Sequence, residues 1–234
     1  MNRLAKSSEP YIPADGSAPA SVIIAATEQA FLVAKDAAHN LIDFIDTRSM
    51  WAFRTLSDCE KELDHIERTM DTVLPKAITH VGENRARELL ACSRVITELE
   101  RITDLVTSTA LHLRRIGGTV GRLDRRDLLK MASTLQQMLV DLHDVMKSRN
   151  AHALAPILKA DSEIDKLRGA ILRRHIQSSK AKNVHDPVAM LFAAQALERA
   201  GDQATNIAEE AYRLIEGGTL RHLPPKEKRT KLGE

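Results

Sequence analysis

Aromatic residues are scarce in this sequence of 234 residues, since Phe, Trp and Tyr together make up 3% of it. Strands favour aromatic and β-branched residues, whereas Ala, Leu, Arg, Glu and Lys, which favour helices, dominate this chain. The composition therefore predicts an all-α protein. Hydrophobic residues reach 43%, so the chain is long and apolar enough to bury a substantial core.

Cysteines and long apolar runs are also few. Two cysteines, Cys59 and Cys92, cannot make a disulfide framework, and we expect both to be reduced and buried. No run of about 18 apolar residues predicts a membrane-spanning helix. Residues 1–21 contain Arg3 and Lys6 but no apolar stretch behind them, so we expect no signal peptide and a cytoplasmic location.

Several motifs that would indicate an enzyme or a nucleic-acid-binding protein are missing. The net charge of +2 is too small to indicate nucleic-acid binding. No glycine-rich phosphate loop indicates an ATPase. Glu62 and His65 match half of a di-iron carboxylate motif, but such an oxidase needs a second Glu-x-x-His, which the chain lacks. The nine histidines include no pair at zinc spacing, so we predict a protein that is not an enzyme.

Six segments have apolar residues that recur at spacings of three, four and seven, the pattern of an amphipathic helix. They cover residues 21–45, 49–75, 83–116, 124–148, 155–179 and 186–216. Asp124 is predicted to cap the fourth helix, Pro156 to lie in the first turn of the fifth, and Pro75 to interrupt the second. Glycine pairs at 117–118 and 217–218 are predicted to end the third and the sixth.

These helices fall into two groups of three. The first unit is predicted over residues 20–118 and the second over 124–218, joined by a linker at 119–123. The proline- and glycine-containing segment 1–19 is interpreted as a flexible arm. The segment 219–234 is interpreted as a basic tail.

The two units resemble each other in sequence. Residues 99–104 align with 197–202, so that Glu100 matches Glu198, 98 positions later. Residues 60–64 align with 161–165 at an offset of 101. The second and third helices of one unit thus match those of the other, and we infer that a three-helix unit has been duplicated.

Each aligned segment carries an acidic residue at position i and another at i+4. On a helix these carboxylates point the same way, and the like charges destabilise it by about 0.2–0.5 kcal/mol. Clustered carboxylates are what hard cations require, so the pattern predicts metal binding, with solvated acidic helix edges as the alternative. Alanines of the sixth helix would let a neighbouring helix approach closely. The candidate ligands are Glu60, Asp64, Glu100, Asp104, Asp161, Asp165, Glu198 and Asp202.

Three arginine pairs, at 114–115, 125–126 and 173–174, are interpreted as solvated helix surface. The alternative is that they steer acidic partners or a membrane face. Basic residues at 226–231 could touch anionic lipid, but their charge is modest.

The sequence LERAGDQATNIAE at 197–209 resembles the signature of the PhoU family, accessory regulators of phosphate-specific transport. Residues 97–104 look like a weaker copy, and the resemblance extends over about 20–218. It implies two tandem three-helix bundles, with iron, zinc, manganese or magnesium bound by the eight carboxylates. It also implies a homodimer that negatively regulates phosphate uptake and the phosphate-starvation response. Such a protein would bind the ATPase subunit of a phosphate ABC transporter and a sensor histidine kinase, and meet the membrane only through them.

The chain departs from the family pattern at three positions. Thr103 stands where the family usually has Gly, and Leu105 and Gln203 stand where it usually has His. Since two of these lie in the first repeat, the second carboxylate cluster is expected to be the firmer metal site. Two alternatives stay open: a metal-independent helical interaction protein, and a PhoU-like paralogue that regulates another transporter.

Overall fold

A computed structural model describes residues 18–116, 120–177, 185–220, 223, 227 and 231–232. Within them the chain forms six α-helices, a short 3-10 helix and no strand. The helices are α1 Ala18–Thr47, α2 Met50–Ile78, α3 Glu83–Arg114, α4 Arg122–Ser148, the 3-10 helix Ala151–Leu154, α5 Ala155–Gln177 and α6 His185–Glu216. The all-α fold and the six helices are confirmed, with ends that differ from prediction by a few residues. The predicted arm and basic tail lie largely outside the described residues.

Local signals explain several helix ends. The Ser49 hydroxyl accepts a hydrogen bond from the Ala52 N–H at 3.2 Å and caps α2. Gly217 ends α6 in a left-handed conformation with φ of +70°, and its N–H donates to the Arg213 carbonyl at 3.0 Å. The predicted glycine stop at 217–218 is therefore confirmed, whereas the pair at 117–118 lies outside the described residues.

Two predicted helix signals are wrong. Pro75 does not interrupt α2, which continues to Ile78. The proline ring costs one backbone hydrogen bond but fixes a helical φ, and so late in the helix this loss is tolerated. Asp124 does not cap α4, because Gly121 occupies the cap position. The Asp124 side chain instead lies buried in the first turn, where it binds α5.

The helices pack as two bundles with one common core. Helices α1, α2 and α3 contact one another, as do α4, α5 and α6, and the two sets meet through α3 with α6 and α1 with α4. Among the described helices, the contact between α3 and α6 is the most extensive. Leu99 on α3 and its repeat equivalent Leu197 on α6 are both fully buried within a single apolar cluster. Helices α2 and α5 thus lie at the outer edges of the two bundles.

Both cysteines are free and buried, as predicted. Burial, followed by the charges of Asp36, Glu62 and Asp58, raises the pKa of Cys59 to about 11, so this thiol stays protonated. Among the described residues, no helix combines the length and the apolar character needed to cross a bilayer.

Candidate metal sites

The first four candidate ligands lie face to face on α2 and α3. Burial raises the pKa of Glu60 on α2, and the charge of Asp104 on α3 raises it further, as does that of Asp64. Like charges disfavour ionisation only when they are close, so the carboxylates of the two helices lie within electrostatic reach of one another. The packing of α2 against α3 thus places the two predicted pairs within electrostatic reach of each other.

Sequence reasoning missed a fifth carboxylate in this first cluster, which we define as Glu60, Asp64, Glu67, Glu100 and Asp104. Burial raises the pKa of Glu100, and Glu67 is the largest charge contribution to that rise, ahead of Asp104. The Thr97 hydroxyl on α3 donates to Glu67 Oε1 at 2.8 Å and holds this carboxylate beside the cluster. Glu67 lies one helical turn after Asp64, a signal that a search restricted to i,i+4 equivalents in both repeats ignores.

Few cations balance the first cluster. Of the ion pairs among the described residues, the pair of Arg68 with Asp64 is the one that involves its five members. Nearby Lys61 and Arg101 pair with Asp58 and Glu98, and their charges act from there to lower the pKa values of Glu60 and Glu100. The first cluster thus concentrates negative charge at the outer edge of its bundle.

The other four candidates form the second cluster on α5 and α6: Asp161, Asp165, Glu198 and Asp202. Burial raises the pKa of Asp202, and the charges of Glu198 and Asp165 raise it further. A Cβ atom on Gly201 would lie 3.2 Å from Asp161 Oδ1 and 3.1 Å from Ile164 Cδ1. The missing side chain therefore lets α5 approach α6 closely at this cluster, as the small residues of α6 predicted.

The two clusters differ in how deeply their arginine lies: Arg68, paired with Asp64 of the first cluster, is 74% exposed, whereas Arg168 of the second is 33% exposed. Arg168 Nη2 on α5 donates to Glu198 Oε1 at 3.2 Å, and the Gln195 amide donates to the other oxygen, Oε2. The Glu198 side chain is only 13% exposed, so protein donors supply much of its solvation. Arg168 also acts to lower the pKa of Asp202, against the effect of the neighbouring carboxylates.

The donor sets differ in how well they suit a cation. An all-carboxylate set, as in the first cluster, suits hard ions such as Mg²⁺, Mn²⁺ or iron better than zinc, which prefers nitrogen and sulfur ligands. No three Asp, Glu, His or Cys side chains within the described part of the chain are already arranged around one point as metal ligands. By donor chemistry alone the first cluster suits a hard cation, whereas in the second a partly buried guanidinium already binds Glu198.

Sequence reasoning also missed a buried group of ion pairs between α4 and α5. Asp127 is 2% exposed and accepts hydrogen bonds from Arg174 Nη2 at 2.6 Å and Arg126 Nη2 at 2.7 Å. Arg174 also pairs with Asp124, whose other oxygen lies 2.9 Å from His175 Nε2. The interpretation of the pair at 173–174 as solvated surface is therefore wrong for Arg174, although Arg173 is exposed.

Sequence comparison identifies relatives. The family profile described as "PhoU domain" matches residues 128–211. The phosphate-specific transport system accessory protein PhoU homolog of Rhizobium meliloti (strain 1021) is 29% identical over 176 residues, covering 68% of this chain and 74% of that protein. The protein of the same name from Clostridium acetobutylicum is 27% identical over 164 residues, covering 69% and 73%.

Solved structures share the fold. The phosphate transport system regulatory protein PhoU from Streptococcus pneumoniae superposes with a TM-score of 0.78 at 15% identity, covering 88% of this chain and 99% of that one. PhoU from Pseudomonas aeruginosa gives a TM-score of 0.69 at 21% identity, covering 85% and 95%. The family profile, the similar sequences and the common fold agree: residues 128–211 match a PhoU domain, and the chain has the fold of solved PhoU proteins.

Proposed function

We propose that this chain is an accessory regulator of phosphate transport that acts by binding other proteins. The observation that carries the proposal is its similarity to a family whose members are named as accessory proteins of phosphate-specific transport. That family consists of accessory proteins that are not enzymes, in keeping with the prediction for this chain. The outer helices α2 and α5, each packed mainly within its own bundle, offer surfaces for partners.

The regulation we propose is negative. The chain, as a homodimer, would bind the ATPase subunit of a phosphate ABC transporter and a sensor histidine kinase, and would restrain uptake when phosphate is plentiful. Deleting the gene should therefore derepress a phosphate-starvation reporter in high phosphate, and the wild-type gene should restore repression. Unchanged reporter expression after deletion would contradict the proposal and favour a paralogue that regulates another transporter.

Metal binding is the second part of the proposal. Glu60, Asp64, Glu100 and Asp104 would hold the ion, which would supply positive charge between α2 and α3. Glu67, fixed by Thr97, increases the negative potential that attracts a cation to this edge. Because the repelling carboxylates lie on two helices, their neutralisation favours one relative position of α2 and α3. A partner that binds the metal-bound arrangement of α2 and α3 more tightly than the metal-free arrangement would change its affinity with metal supply.

Replacing Glu100 and Asp104 with alanine should abolish this metal binding, since it removes the whole contribution of α3. In the wild type, metal at about 100 times its dissociation constant should stabilise the fold by about 2.7 kcal/mol, and the double variant should lose that increment. Metal analysis of protein purified without chelator and thermal unfolding with added metal measure the two effects.

A matched control removes two other acids from the same bundle. Asp58 and Glu62 are also spaced i,i+4 and exposed, and neither belongs to the first cluster. Their double replacement with alanine should leave metal content and metal-dependent stabilisation unchanged. Absence of bound ion from the wild type would instead support the metal-independent interaction protein, and equal binding by the Glu100→Ala, Asp104→Ala protein would show that the ion is held outside the first cluster.

A further inference from the structure

The two carboxylate clusters arose from one duplicated unit, yet they carry opposite charges at one equivalent position. Glu67 and Arg168 are equivalent positions. Glu67 lies three residues after Asp64, and Arg168 lies three residues after Asp165, the equivalent of Asp64. Both side chains face the glutamate of the third helix in their own unit. Glu67 raises the pKa of Glu100 by its charge, whereas Arg168 donates to Glu198 Oε1 at 3.2 Å.

The neighbouring residue on the third helix changed in the same sense. Thr97 and Gln195 are equivalent, since each lies three positions before the glutamate of its unit. Thr97 donates to Glu67 and leaves Glu100 surrounded by carboxylates. Gln195 donates to Glu198 itself, so that Glu198 receives a donor on each oxygen.

We propose that Arg168 is a built-in counter-ion that takes the place of the metal in the second cluster. The inference rests on the proposed metal binding of the first cluster, and it limits metal to that cluster. A guanidinium is always charged at physiological pH and repels an entering cation. Its hydrogen bond, together with that of Gln195, occupies the oxygens that Glu198 would otherwise offer as ligands.

The assignment reverses the order expected from sequence, in which the second cluster was the firmer metal site. That expectation came from the family signature at 197–209, which lies wholly on α6, whereas the residue that decides the charge lies on α5. The contact between α5 and α6 thus holds without metal. Only the contact between α2 and α3 responds to metal supply, which places the regulated element in the first bundle.

Charge reversal at Arg168 tests the proposal. Using Mn²⁺ alone as the probe, equilibrium dialysis followed by elemental analysis measures ions bound per chain. Wild type and the Glu198→Ala, Asp202→Ala variant should bind the same amount, and the Glu100→Ala, Asp104→Ala variant should bind none. Arg168→Glu should raise the bound Mn²⁺ about twofold, because it restores an all-carboxylate second cluster. Arg173→Glu, an exposed reversal on the same helix, should leave binding at the wild-type level.

The outcomes separate this inference from the function on which it rests. Wild-type binding that is halved by each double variant overturns the role of Arg168 and leaves metal binding standing. No increase in Arg168→Glu also overturns that role. Wild type that binds no Mn²⁺ overturns both.

Hydrogen exchange of the wild-type chain provides a readout that needs no variant. Removing Mn²⁺ with a chelator should speed the amides of α2 that exchange by local opening and leave the locally exchanging amides of α5 unchanged. Equal acceleration of these local exchange rates in α2 and α5 contradicts the proposal even if Arg168→Glu fails to fold.

Discussion

Replacing Arg174 with methionine should lower the free energy of unfolding by about 3 kcal/mol or more, because it strips two buried carboxylates of their common partner. Asp127 and Asp124 are 2% and 9% exposed at their side chains, and Arg174 binds both. Arg126 still pairs with Asp127, and His175 still pairs with Asp124. The loss of unfolding free energy should therefore lie at the lower end of the range for a broken buried ion pair. Chemical denaturation at neutral pH measures it.

Arg173 supplies the matched control. It precedes Arg174 on α5 but is exposed, so Arg173→Met should change stability by no more than about 0.5 kcal/mol. Equal losses for the two variants would show that the buried pairs contribute no more than a surface charge does.

The stability lost in Arg174→Met should depend on pH, because the Asp127 carboxylate titrates. Burial alone would raise the pKa of Asp127, but hydrogen bonds from Arg174 and Arg126, together with their charges, outweigh it and hold that pKa below its ordinary value. A carboxyl with a lowered pKa in the folded state stabilises the protein above the unfolded value of about 3.9, and this contribution disappears as the pH falls through the folded pKa. The difference between wild type and Arg174→Met should therefore shrink below about pH 4.

Shortening Leu99 to alanine should cost about 2–5 kcal/mol and shift one unfolding transition of the entire helical signal. Leu99 is fully buried in the cluster through which α3 and α6 join the two bundles. Since neither bundle can keep this surface covered without the other, both should unfold together. Circular dichroism during denaturation follows the helices of both bundles at once.

Leu90 lies on the same helix but is 40% exposed, and Leu90→Ala should cost much less. A transition in two steps, with about half of the helical signal surviving the first, would indicate that the bundles are energetically separate.

Periodicity was sufficient to predict the helices, because burial of one helix face leaves a spacing that can be read along the chain. It also predicted which acids share a face, since the i,i+4 relation is local. The resemblance around Glu198 then led to the family whose profile matches residues 128–211. Each of these inferences depends on residues within one segment.

Partners in different helices could not be read in this way. Asp124 and Arg174 are 50 positions apart, and each has an ordinary local explanation, as a cap and as a surface cation. The choice between those roles is made by the packing of α4 against α5. Arg168 was overlooked for a related reason: its charge matters only because α5 brings it beside Glu198.

Proline at position 75 illustrates the opposite error, in which a local rule was trusted too far. Proline removes one i→i−4 hydrogen bond and its ring crowds the carbonyl four residues earlier, which disrupts a helix most when many residues follow it. Only three residues of α2 follow Pro75, so a distortion there displaces a short end of the helix.

The common surface of α3 and α6 also governs how the two halves of the gene can evolve. An enlarged side chain on one of these buried faces needs a smaller one opposite, so substitutions there should appear in compensating pairs across the duplication. The outward carboxylate clusters are free of that coupling. One repeat could therefore acquire Arg168 while the other kept Glu67, and two initially equivalent clusters could take different roles without any change in the fold.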